Sequence, residues 1–148
     1  MADHVRQQIR ERIATTITGL STTGSNVFQS RVYPLDVDSL PALLVYTISE
    51  SSDVDVMGTT LGMNRILNVG IEAYVKATVD FDDIVDDICK EVEAALGADR
   101  TLNNLAKFQY LSATEIQFNG EGDKPVGVVT MNYAVQYRTT TTAPDIAI

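Results

Sequence analysis

Apolar residues recur along this chain in two rhythms, and each change of rhythm marks a new element. Val5, Ile9, Ile13, Ile17 and Leu20 stand three or four apart, which predicts an amphipathic helix from Asp3 to Leu20. Asp3 is its expected N-cap, and Arg6, Gln7, Arg10, Glu11 and Arg12 are its polar neighbours. Ser21 to Asn26 reads as a loop, after which the rhythm shortens to two. A short strand is expected from Val27 to Val32 and a longer one from Ala42 to about Val56. A third runs from Arg65 to Ala77, where Leu67, Val69, Ile71, Ala73, Val75 and Ala77 alternate with Asn68, Glu72 and Lys76. The loop from Met57 to Asn64, with Gly58 and Gly62, joins the last two as a long antiparallel hairpin.

Helical spacing returns at Phe81, Ile84, Val85, Ile88, Val92 and Leu96, so a second helix is predicted over Phe81 to Leu96. Asp80 is its expected N-cap and Gly97 its stop. Asp99 to Ala106 reads as a turn. A fourth strand follows, Phe108 to Phe118, with Phe108, Tyr110, Thr114, Ile116 and Phe118 expected on one face. Gly120, Gly122 and Pro125 punctuate a turn before the fifth strand, Val126 to Arg138, where Val129, Met131, Tyr133, Val135 and Tyr137 share a face. The order α-β-β-β-α-β-β gives one α+β domain, residues 1–148, with a largely antiparallel or mixed sheet packed on two amphipathic helices. Ile13, Ile17, Ile84, Ile88 and Val92 are its expected core. Residues 139–148 read either as an extended C-terminal arm that can add to another chain's sheet edge or as disorder.

Charge narrows the functional classes. Asp and Glu number 20 against 11 Lys and Arg, a formal −9. Such a chain is poorly suited to wrap duplex DNA, whose binding rests on cationic neutralisation. Cys89 is the single cysteine, so no intrachain disulfide forms, and a reducing compartment is expected. The polar, charged start has no signal-peptide pattern, and no apolar run is long enough to span a bilayer.

Catalytic constellations are hard to assemble from these residues. His4 is the only histidine, expected in solvent, and no nucleophile motif surrounds it. Cys89 borders the apolar stripe of the second helix and is expected to pack in the core. Asp82, Asp83, Asp86 and Asp87 fan out from one helix and complement its dipole; a metal site needs carboxylates converging from several elements. Gly120-Glu121-Gly122-Asp123 is acidic and would repel phosphate. No catalytic residue, metal or cofactor is therefore expected. The hairpin tip is different: Val54, Val56, Met57, Leu61 and Met63 are apolar with few charges among them, and they either pack back onto the protein's own sheet or, the favoured reading, mark a contact surface. Ile146 and Ile148 in the C-terminal arm join it as candidates.

The segment Arg31-Val32-Tyr33-Pro34-Leu35, followed by Leu40-Pro41-Ala42-Leu43-Leu44-Val45-Tyr46, adds a further clue. Pro34 closes a strand, Pro41 opens the next, and Asp36, Asp38 and Ser39 supply turn chemistry between them. This pattern resembles the tail terminator (tail-completion) family of long-tailed bacteriophages, the minor tail protein U type. The resemblance continues through Ile13–Leu20, Val27–Arg31, Glu91–Leu96, Thr114-Glu115-Ile116, Gly120–Gly127 and Tyr137-Arg138-Thr139. It implies a fold like that of tail-tube proteins and a homo-hexameric ring that caps the tail tube. It also implies two protein partners, the tail tube protein and a head–tail connector or stopper protein. DNA would pass through the lumen without sequence-specific binding, and no membrane is involved. The location implied is the virion's tail–neck region, with assembly in the host bacterial cytoplasm. The alternatives are another neck component, a head-completion or stopper protein, or a small acidic metal-dependent enzyme using the Asp82 cluster.

Overall fold

The computed structural model describes residues 3–29, 41–76, 80–119 and 126–148. The elements follow the expected order: α1 (Val5–Thr16), β1 (Val27–Phe28), β2 (Ala42–Val56), β3 (Gly62–Lys76), α2 (Phe81–Gly97), β4 (Phe108–Asn119) and β5 (Val126–Thr140). The motif Arg31–Leu35 with Pro34, Ala77, and the turn carrying Glu121 and Asp123 lie outside the described residues.

The five strands form one mixed sheet in the order β1-β2-β3-β5-β4, parallel between β1 and β2 and antiparallel elsewhere. Two long strands, β3 and β5, sit in the middle and pair over fifteen residues each, Gly62 with Thr140 through Lys76 with Val126. Their alternating apolar residues, Leu67 to Val75 and Val129 to Tyr137, are buried on one face. Val5, Ile9 and Ile13 of α1, Ile17 just beyond it, and Val85, Ile88, Val92 and Leu96 of α2 pack onto that same face. Burying each large side chain contributes roughly 1.5–3 kcal/mol. Ile84, expected in the core, is only partly buried at its margin.

The ends of the helices differ from expectation for local reasons. α1 is capped by His4, not Asp3: the imidazole Nδ1 accepts the Arg6 backbone N–H at 3.0 Å. His4 is therefore half-buried rather than in free solvent. The helix stops at Thr16, short of Leu20, in a threonine-rich stretch. Thr15, Thr16 and Thr18 turn their hydroxyls back onto the carbonyls of Glu11, Arg12 and Ala14, and Gly19 takes φ +89°. Asp80 occupies the N-cap of α2, but its side chain makes no capping bond. Gly97 is the last helical residue, and Ala98 continues in a right-handed conformation instead of a left-handed glycine stop. The buried side-chain amide of Gln109 donates to the Leu96 carbonyl at 2.6 Å and satisfies that end.

Strand β4 departs most. The register slips between Leu111 and Ala113, so Ser112 is an extra residue. Phe108 and Tyr110 stand opposite Gln136 and Ala134, on the face away from the helices. Thr114 and Ile116 stand opposite Met131 and Val129, on the helix side. The bulge thus splits a set that simple alternation places on one face.

Candidate interaction surface

From Ile48 onward β2 runs beyond the helix layer. Residues 51–56 are exposed whichever way they point; their backbone pairs with the neighbouring strand β3, and no helix covers them among the described residues. At the root of this projecting half sits Glu50, only 9% exposed. Its Oε2 accepts from Arg6 Nη1 at 2.9 Å and Arg65 Nη1 at 3.3 Å, while its Oε1 accepts the Tyr137 hydroxyl. One carboxylate so ties α1, β2, β3 and β5 together. Burial, then the carboxylate it donates to, push the Tyr137 phenol well above its ordinary range.

A second lock lies near the tip. The Arg138 guanidinium grips Asp55 at two points, Nε to Oδ2 at 2.6 Å and Nη2 to Oδ1 at 3.1 Å. Gly62 makes room for it, since a Cβ there would lie 2.7 Å from Asp55 Oδ1. The pair also neutralises one of the tip's two aspartates. β3 begins at Gly62 instead of Arg65, which leaves only residues 57–61 as the turn.

The candidate residues divide by exposure. Met57 is 85% exposed, Val56 52% and Val54 48%; Leu61 and Met63 are half-buried. Val54 pairs with Met63 on the helix-facing side, whereas Val56 pairs with Gly62 on the other. The tip is therefore apolar on both faces. Thr139 and Thr140 complete β5, and the remaining C-terminal residues turn back along their own chain. The Ile148 N–H donates to the Arg138 carbonyl at 3.0 Å, and the Val5 N–H to the Pro144 carbonyl at 2.9 Å. Ile146 and Ile148 still face outward, 56% and 43% exposed. Arg138 thus brings the two candidate patches together: its side chain holds the hairpin, its carbonyl the chain's end.

Glu50 and Arg138 did not stand out in the sequence. A signal existed for Glu50: Tyr137 ends an otherwise apolar stripe, and a buried tyrosine hydroxyl calls for a partner.

Comparison with known proteins adds little. No family model matches the chain, and no curated protein matches it. Among solved structures it is similar to a chain of the virion of a native gene transfer agent particle, with 13% identity over 92% of each chain and a TM-score of 0.41.

Sites for chemistry are sparse. Asp82, Asp83, Asp86 and Asp87 are all exposed on α2, and no group of three or more potential ligands converges on a metal position among the described residues. The Cys89 thiol lies half-buried at the core margin, where burial, then Glu93 and Asp86, push it up to about 11. A pocket of about 300 Å³ opens between the end of α2 and β4, with Glu93, Arg100, Gln109, Tyr110 and Tyr133 in its wall. Among the described residues that wall has no nucleophile beside a base. Among the described residues, no helix is long and apolar enough to cross a membrane.

Proposed function

We propose that this chain is a structural protein of a virion, built to hold other proteins rather than to transform a substrate. In this reading it forms a hexameric ring that caps a phage tail tube, ends tube polymerisation and offers a face to the head connector. The observation that carries the reading is the projecting hairpin, whose apolar tip residues Val54, Val56 and Met57 stand free of the protein's own core. An exposed apolar tip on a stiff support fits a docking element. The order of motifs shared with tail terminators, from Ile13 through Thr139, supports the choice of partner and the number six.

The ring works by geometry. A head-to-tail contact between copies closes a ring when its rotation closes, and the same kind of contact repeated along an axis builds a tube. A terminator accepts the tube on one face and withholds a second tube-like face on the other. The exposed aspartates of α2 and Glu115 give the subunit an acidic exterior, and acidic side chains facing the lumen would let DNA slide without holding phosphates.

The test is to replace Val54, Val56 and Met57 with serine and to image the purified protein, alone and mixed with tails. Sixfold rings on tail ends for the natural chain, lost in a variant that still folds, support the reading. Any other rotational symmetry, or an unaffected variant, overturns it.

A further inference from the structure

The first turn of α1 carries backbone N–H groups that no helical carbonyl can reach. The structure supplies acceptors from two places. Gln7 and Gln8 donate to the His4 carbonyl at 2.8 and 3.1 Å, and Arg6 donates to His4 Nδ1 at 3.0 Å. Val5 donates to the carbonyl of Pro144, from the other end of the chain. The Gln8 side-chain amide adds bonds to the carbonyls of Asp3 and Asp145, at 2.6 and 3.0 Å. Ala147 packs at the core margin just beyond. The chain's only histidine and its C-terminal segment are thus fastened to the same helical turn.

We infer that His4 and residues 143–148 form a proton-operated latch, closed while His4 Nδ1 is a bare acceptor and opened when that nitrogen takes a proton. A protonated Nδ1 is a donor facing the Arg6 N–H, so the cap is lost. The added charge also lies at the positive end of the helix dipole. The first turn then frays, and with it the Val5 and Gln8 anchors of the C-terminal segment.

The charges around His4 are mixed. Arg6 on α1 and Arg65 on β3 oppose the cation, whereas Glu50 on β2 and Asp145 in the C-terminal segment favour it. Burial, the largest influence, sides with the arginines, and His4 stays below its ordinary 6.5. The closed form therefore binds the proton less tightly than the open one. Latch stability is complete above 6.5 and falls as pH drops below it, until the closed form also protonates. Opening frees the segment that carries Ile146 and Ile148, which can then reach a neighbouring sheet edge as an extended chain. The latch stands whether or not the protein builds a ring.

The test is amide hydrogen exchange on the full chain at about pH 7.5 and about pH 5, corrected for the intrinsic rate. The natural chain is compared with His4→Asn, whose carboxamide caps without titrating. Protection at Val5, Arg6 and Ile148 should fall severalfold in the natural chain, by the ratio of the open and closed forms' proton affinities, and hold within about twofold in His4→Asn. Met131, in the core of β5, should stay protected in both, which separates latch opening from global unfolding. Unchanged protection in the natural chain, or an equal loss in His4→Asn, overturns the proposal. A second readout needs no variant: the His4 ring titration followed by NMR must share its midpoint with the loss of Ile148 protection, and separate midpoints also overturn it.

Discussion

The ring of Phe81, the first residue of α2, rests directly on the backbone of Gly127 in β5. A Cβ at position 127 would lie 1.9 Å from Phe81 Cε2 and 2.0 Å from Cζ, which no real contact allows. Gly127 stands opposite Val75 on the helix-facing side, so the contact sets how closely α2 approaches the sheet. Gly127→Ala should therefore cost about 3 kcal/mol, at the upper end for overpacking, measured by urea denaturation. Combining it with Phe81→Leu should return part of that loss, because the smaller side chain yields the space.

Glu50→Gln should be more damaging than an exposed-looking residue in a Ser- and Asp-rich run suggests. It leaves Arg6 and Arg65 without their counter-charge, and Arg65 sits where water hardly reaches. Removing one partner of a buried ion pair costs about 3 kcal/mol. Arg6→Gln, which removes the more exposed member of the pair, should cost well under half of that. Equal and small losses in a denaturation series would show that the root of the hairpin is held by packing alone.

The Cys89 thiol should be sluggish. With its pKa pushed up to about 11, the thiolate is scarce at mildly alkaline pH. Reaction with a disulfide reagent at about pH 8 should run on the order of a hundredfold slower than for a free cysteine, and reach the free rate in denaturant.

How much of this was legible in the sequence depends on where each element sits. α2 and the central strands β3 and β5 bury a full stripe, so periodicity alone finds them within a few residues. β4 is an edge strand, exposed on both sides from Ser112 to Gln117, and nothing in Phe108-Gln109-Tyr110-Leu111-Ser112 announces an extra residue. Alternation therefore fails there without warning. Asp3 has the better capping propensity, but the turn that His4 caps is the one fastened to the C-terminal segment through Val5 and Gln8, partners over a hundred positions away. The candidate contact residues stand out in the sequence by their apolarity, but the ties that support the hairpin do not. Glu50 meets arginines from two other elements and a tyrosine from a third, and no local pattern encodes such a meeting. In the turn after α2, Leu102 is fully buried at φ +50°, followed by Asn103 and Asn104 at +58° and +66°. The asparagines suit that conformation; leucine does not, and only its place in the core explains it.

The paired locks at Glu50 and Asp55 also bear on the entropy of docking. A long hairpin without them would sample many bends and twists, and a partner would have to freeze them at a cost of roughly 0.5–1.5 kcal/mol for each side chain it immobilised. Here the restriction is imposed during folding, at the root by Arg6, Arg65 and Tyr137 and near the tip by Arg138. In the proposed docking role the tip would reach a partner as a stiff strut, and a few apolar side chains such as Met57 would then suffice for a contact that assembles quickly and holds its angle.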